Sequence, residues 1–292
     1  MILREARLRC ITTLARQKVR EIYDPMIREF FLEEWGISYR MNEFCADKKS
    51  IVFIHGVTGS CSAWFRYEEA FQDNFNLLTF DLRGHGKSRK YGCIEDYSVE
   101  RCAEDIIRLL NHTNFENFSI VSHSFGTLIG VELLAKLGGR VDAAIFLCPA
   151  YGLNASGRRF LLPILDRLAA IFGMVRFSIA GRRRTDYSRF EDTGDWNIVR
   201  MFADIRNTTF HVHVFCLRQI YQYDQSDKWE FVVPTLVIHG RNDTLIPVEV
   251  AIRLQALKPS IKLIVLDGAD HILILNQAKL ICREILNFLS GV

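Results

Sequence analysis

Ser124 stands near the end of the run Phe118-Ser-Ile-Val-Ser-His-Ser-Phe-Gly126, where a short apolar stretch suited to a buried strand gives way to an apolar helical pattern. A serine on such a strand-to-helix corner is held in a strained backbone conformation with its Oγ exposed. It can attack an acyl carbon once a base takes its proton. The corner needs small residues two positions to either side so that strand and helix pass closely. Gly126 meets that need, while Ser122 occupies the other position, where glycine is usual. A serine here can equally do no more than cap the helix that follows. The motif by itself leaves both readings open.

The run His55-Gly56-Val57-Thr58-Gly59 follows the apolar residues 51–54. Its glycines let the backbone turn so that the Val57 N–H faces a substrate oxygen. Together with the Phe125 N–H, at the positive end of a helix, it would form an oxyanion hole. His55, at a strand end before glycine, suits a loop-fixing hydrogen bond better than general-base work. Two further loops supply an acid and a histidine: Asp243 in Thr235-Leu-Val-Ile-His-Gly-Arg-Asn-Asp243, and His271 in Gly268-Ala-Asp-His271. Each follows an apolar run, and loops at the carboxyl ends of strands are where α/β sheets keep their sites. Asp270 adjoins His271 and is either a rival orienting acid or a charge that raises the imidazole pKa, although adjacency in a loop usually turns a carboxylate elsewhere.

Apolar runs at 50–54, 77–80, 118–121, 143–147, 235–238 and 261–266 have the near-continuous hydrophobicity of strands buried on both faces. Helical spacing occupies 62–72, 98–111, 125–137, 248–257 and 272–289. This alternation predicts an α/β fold, with right-handed crossovers and a mostly parallel central sheet flanked by helices. It lapses over 151–230, which reads as an inserted helical cap, so the core comprises 36–150 and 231–292. Residues 1–35 space Leu8, Ile11, Ala15, Val19, Ile22 and Met26 three and four apart. That pattern predicts an amphipathic helical extension, docked on the protein's own body, laid by its basic face on anionic lipid, or acting as an organellar presequence, although Glu5, Glu21 and Asp24 weaken the last two readings.

Taken together and in this order, the motifs resemble the α/β-hydrolase-fold superfamily from about residue 50 to the C-terminus. Within it they are similar to serine hydrolases with a helical cap, of the carboxylesterase, lysophospholipase and acyl-thioesterase group. The resemblance implies a catalytic triad of Ser124, Asp243 and His271, in the family's chain order of nucleophile, acid and histidine, with Val57 and Phe125 as oxyanion donors. It implies structural roles for His55, Gly56 and Gly126, and for Asp81 and His85 in Asp81-Leu-Arg-Gly-His-Gly-Lys-Ser88. The chain departs from the family pattern at Ser122 and at Asp270, where small residues are common. A serine nucleophile argues against the dehalogenase and epoxide-hydrolase branches, which use aspartate there. The implied reaction is hydrolysis of a small-molecule carboxylic ester or thioester through an acyl-enzyme, with no metal or organic cofactor. Acyltransferases, carbon–carbon bond hydrolases and non-catalytic ligand-binding proteins share the scaffold and remain alternatives.

Composition narrows the partners. The chain carries 37 basic and 34 acidic residues among 292, a balance that excludes a general nucleic-acid-binding surface. An apolar content of 49% excludes disorder. Eight cysteines without a CxxC pair or a Cys/His array predict reduced thiols and no zinc site. Neither a secretory h-region nor an uncharged apolar stretch long enough to span a bilayer is present, which predicts a cytoplasmic protein with peripheral membrane contact at most. Between 158 and 189, eight arginines stand against two aspartates, interleaved with apolar residues from Phe160 to Phe177. Either this is a cap helix with a solvated basic side, or the cap covers an acyl chain while Arg182, Arg183 and Arg184 contact an anionic acyl carrier or lipid surface.

Overall fold

The computed structural model describes residues 26–153, 160–174, 178–179, 181, 183–225 and 227–292. Its main sheet is built from β1 (Ile27–Leu32), β2 (Ile37–Asn42), β3 (Ser50–Ile54), β4 (Asn76–Phe80), β6 (Phe118–His123), β7 (Val141–Leu147), β9 (Thr235–Gly240) and β10 (Lys262–Leu266). Two short strands, β5 (Lys90–Tyr91) and β8 (Ser178–Ile179), pair with each other apart from it. The helices are α1 (Phe65–Phe71), α2 (Val99–His112), α3 (Phe125–Leu137), α4 (Leu162–Gly173), α5 (Ile198–Thr208), α6 (Phe210–Gln222), α7 (Glu249–Leu257), α8 (Leu273–Asn276) and α9 (Ala278–Leu289).

The strand order is β1-β2-β4-β3-β6-β7-β9-β10, parallel throughout except for β1 and β2 at one edge. All residues of β3, β4, β6 and β9 are buried, as the apolar runs within them require of strands covered on both faces. The pleat sends Val52, Ile54, Ile120 and Phe146 into one apolar layer, with Leu109 of α2 and Leu128 of α3. Ile51, Phe53, Val121 and Ile145 enter the other, with Tyr67 of α1 and Ile281 of α9.

After β3 the chain crosses to β4 on one side and later returns to lay β6 on the other. The carboxyl ends of β3 and β6 therefore lie side by side, with Ile54 opposite Ser122. A crevice opens at such a reversal. The loops after β9 and β10, farther along the same edge, carry Asp243 and His271.

The strands expected from residue 50 onward are present. The helix expected over 1–35 is corrected where the structure describes it: residues 27–32 are strand β1, paired in a hairpin with β2. Arg28, Glu29, Phe30 and Phe31 are exposed on this edge strand, so it lacks the two-sided burial by which the central strands announce themselves. Its turn depends on Gly36, at φ +64, whose N–H donates to Leu32 O at 2.7 Å. Residues 1–25 of that expectation lie outside the described residues. Between β7 and β9 the chain forms α4, α5 and α6, together with the short strand β8, which the apolar spacing does not reveal.

Candidate active site

Strand β6 ends at His123 and α3 begins at Phe125, so the whole change of direction falls on Ser124. Its backbone takes φ 53 and ψ −119, a conformation that L-residues avoid. Two hydrogen bonds hold it there: Ser124 N–H donates to Leu147 O at 3.0 Å, and Thr127 Oγ1–H donates to Ser124 O at 2.6 Å. A Cβ on Gly126 would lie 2.6 Å from Ile54 O and 2.7 Å from His55 O, so only glycine permits this approach of helix to strand. At the other small position, the Ser122 hydroxyl is buried without a hydrogen-bond partner.

Ser124 Oγ lies 2.9 Å from His271 Nε2, and His271 Nδ1 lies 2.8 Å from Asp243 Oδ2. Nδ1–H donates to the carboxylate, which leaves Nε2 free to accept the serine proton. The second Asp243 oxygen accepts the N–H groups of Leu245 at 2.9 Å and Ile246 at 2.7 Å. Burial alone would raise the Asp243 pKa, but hydrogen bonds from His239, His271 and the Ile246 N–H hold it well below the usual carboxylate range. All three residues are buried, Ser124 being 8% exposed. The serine oxygen is thus poised to lose a proton in a site where charge is poorly screened.

Asp270 does not compete for the imidazole. Its Oδ1 accepts the Ile272 N–H at 3.0 Å, and burial together with the neighbouring Asp195 charge raises its pKa. The other histidines near the corner are committed elsewhere. His123 Nε2–H donates to His271 O at 3.0 Å, and its pKa is pushed down to about 3, chiefly by burial. His55 accepts the Leu82 N–H at Nε2 and donates from Nδ1 to Gly56 O, with its pKa lowered by burial to about 4.

The loop of Gly56 and Val57 stands beside the serine, since a Cβ on Gly56 would lie 3.1 Å from Ser124 Cβ. Phe125, as the first residue of α3, has an N–H with no acceptor inside the helix. Asp81 is fully buried and accepts the Cys61 and Lys87 N–H groups and Arg184 Nε, each at 2.8 Å. That last bond corrects the expectation for Arg184. Its side chain is 8% exposed and also meets Glu29 Oε1 at 3.0 Å and Ser38 Oγ at 2.9 Å, so it is a structural tie and not an outer contact for an anion. Arg183 is exposed, and Arg182 lies outside the described residues.

Two residues near the site went unsignalled in the sequence. Cys148, at φ 46, directly follows β7 with its thiol against Asp243, and burial and that carboxylate push the thiol pKa well up. Asp195, from the segment between β7 and β9, accepts the His271 N–H at 2.8 Å. Among the described residues, two groups of potential metal ligands occur here, His123 with Cys148 and His271, and Cys148 with His239 and Asp243. Each would draw on His271 or Asp243, whose ring nitrogens and carboxylate already serve the serine chain.

A serine on a strained strand-to-helix corner, joined through a histidine to a carboxylate and borne on a mostly parallel sheet, defines a class of α/β enzymes. The chain belongs to the α/β-hydrolase-fold family, whose model matches residues 49–278. It is 23% identical over 262 residues to a protein of Agrobacterium fabrum provisionally named carbamate hydrolase RutD, covering 84% of this chain and 94% of that one. It is 22% identical to a protein of Haemophilus influenzae provisionally named an esterase/lipase, covering 82% and 83% of the two chains. In three dimensions it resembles the enol-lactonase of Burkholderia xenovorans, with a TM-score of 0.65 at 18% identity over 90% of this chain and all of the other. Among the described residues, no helix is long and apolar enough to cross a membrane.

Proposed function

We propose that the protein is a serine hydrolase that cleaves a carboxylic ester or thioester through an acyl-enzyme. The observation that carries this reading is the unbroken hydrogen-bonded chain Ser124–His271–Asp243 at a positive-φ corner. In the reaction, His271 Nε2 takes the proton as Ser124 Oγ attacks the acyl carbon, and Asp243 stabilises the imidazolium. The N–H groups of Val57 and Phe125 receive the oxyanion, each contributing about 3 kcal/mol by analogy with other enzymes. His271 then protonates the leaving alcohol or thiol and activates the water that releases the acid. The chemistry needs no metal or organic cofactor. The names of the relatives support attack on an acyl carbon, since a carbamate and an ester both present one.

In this reading residues 151–230 form a cap over a core of 36–150 and 231–292. Phe160, Ile164, Ile171 and Met174, all exposed on or beside α4, favour an acyl or lipid-like substrate. An anionic carrier or lipid surface would meet the exposed Arg183, Arg167 and Arg189 and not Arg184. The seven described cysteines are free, in keeping with a cytoplasmic setting.

A series of p-nitrophenyl esters from acetyl to dodecanoyl tests the proposal. Turnover with water alone is expected, together with fluorophosphonate labelling that Ser124→Ala abolishes. Each added methylene should raise kcat/KM by up to about fourfold, the equivalent of about 0.8 kcal/mol, while the chain remains under the cap. A requirement for an added alcohol, amine or thiol would make the protein an acyltransferase. Labelling without ester turnover would favour carbon–carbon bond hydrolysis, and ligand binding with neither would mark a non-catalytic protein.

A further inference from the structure

Asp195 is buried in the segment between β7 and β9, far in sequence from the residues it holds. Its Oδ1 accepts the His271 backbone N–H at 2.8 Å. Its Oδ2 accepts the backbone N–H of Thr244 at 3.0 Å and the Thr244 hydroxyl at 2.6 Å. Thr244 follows Asp243 directly, so a single carboxylate from a third part of the chain spans the two loops whose side chains must meet. We propose that Asp195 is a positioning residue, which latches the loop after β9 to the loop after β10 and so keeps Asp243 and His271 in register with Ser124.

The latch is itself anchored. The Arg200 guanidinium donates to Asp195 O at 2.7 Å, and Trp196 Nε1–H donates to Thr244 Oγ1 at 3.0 Å. On the other side of Asp195, Asn276 Nδ2–H donates to Thr193 O at 2.8 Å and Asn276 Oδ1 accepts the Asp192 N–H at 3.0 Å. A backbone donor and a buried charged acceptor make strong, directional bonds. The His271 ring pivots on its own Cα, so releasing its N–H moves both ends of the ring relative to Ser124 and Asp243. Asp243 keeps its bonds to Leu245 and Ile246, which hold the carboxylate within its own loop but not against the histidine loop. Reacting groups tolerate about 0.5 Å of displacement, and 1 Å costs about a hundredfold in rate.

This inference rests on the triad reading above, and two readouts separate the two. The full chain is compared with Asp195→Ala, Asp195→Asn and Thr244→Val by ester kinetics, by the rate of fluorophosphonate labelling, and by the low-field proton resonance of His271 Nδ1–H. Asp195→Ala should lower kcat and the labelling rate by about a hundredfold while KM stays within about threefold, because alignment and not substrate binding is lost. The resonance should shift or broaden. Asp195→Asn presents one acceptor and one donor to three donors and should lie close to Asp195→Ala. Thr244→Val keeps both backbone bonds and should fall between these and the native protein. If Asp195→Ala does not fold, Asp195→Asn and Thr244→Val decide the matter by the same ordering. Folded variants with an unmoved resonance and native kcat would overturn the proposal, as would a loss confined to KM. A resonance that moves in the variants, with no labelling of the native protein, would instead uphold the latch and refute the serine hydrolase.

Discussion

Asp243 Oδ2 stands 2.8 Å from His271 Nδ1, while Asp270, the residue next to His271 in the chain, turns its Oδ1 to the Ile272 N–H. The carboxylate that meets the imidazole is thus the distant one and not the adjacent one. An amide at 243 would present a poor acceptor or a donor to Nδ1 and favour the wrong tautomer. Asp243→Asn should therefore lower kcat by about four orders of magnitude. Asp270→Asn retains an oxygen for Ile272 and should stay within about tenfold of the native rate. Steady-state kinetics on a p-nitrophenyl ester distinguish these outcomes, and the reverse ranking would move the acid to Asp270.

Ser122 and Ser124 flank one histidine, yet their hydroxyls have opposite circumstances. Ser124 Oγ faces His271, whereas Ser122 Oγ is buried without a partner between β3 and β7. An unsatisfied buried hydroxyl costs stability, so Ser122→Ala should stabilise the protein by about 1 kcal/mol and leave activity within severalfold. Denaturant midpoints and labelling kinetics test this. A stable but inactive Ser122→Ala beside an active Ser124→Ala would show the corner to be misassigned.

Arg184 is bound to the fully buried Asp81, and that carboxylate also receives the backbone of the loops at Cys61 and Lys87. Removing the guanidinium leaves a charge in the interior with only backbone partners. Arg184→Met should destabilise the fold by roughly 3 kcal/mol, in the range for broken buried pairs. Arg183→Gln, at an exposed position, should change stability by less than about 0.5 kcal/mol. Urea titrations of the two variants give the comparison. Equal and small effects would return Arg184 to the list of substrate contacts.

The parts of this molecule that could be read from sequence are those whose environment is imposed by neighbours along the chain. Central strands such as Ser50–Ile54 are apolar at almost every position because helices cover both faces. Ser124, Asp243 and His271 are legible because each directly follows or closely trails such a strand. The β1 and β2 hairpin is obscure for the opposite reason, since an edge strand bearing Arg28 and Glu29 has only one face to bury. Asp195 and Arg184 are illegible in a different sense. Their partners lie 76 and 103 residues away, and nothing local distinguishes a carboxylate that latches two loops, or an arginine that neutralises a buried acid, from a solvated one.

Asp204 extends the same reasoning to pH. Its Oδ1 accepts the Thr185 hydroxyl at 2.9 Å and the Tyr187 hydroxyl at 2.9 Å, while Arg200 NH1 lies 3.7 Å from Oδ2. Burial outweighs these partners and pushes its pKa up to about 6 from an ordinary value of 3.8. A carboxyl whose pKa is higher in the folded state than in the unfolded one binds its proton more tightly when folded. Its contribution to stability is therefore fully present below the unfolded value and lost as pH rises through about 6. The full span is roughly 3 kcal/mol, from about two pKa units at 1.36 kcal/mol each. Asp204→Asn keeps the oxygen that Thr185 and Tyr187 use and does not ionise. Urea midpoints at pH 4 and pH 7.5 should show the variant close to the native protein in acid and more stable than it at the higher pH. If the variant is instead the weaker of the two at pH 7.5, the Arg200 pairing outweighs the desolvation and Asp204 is charged in the fold.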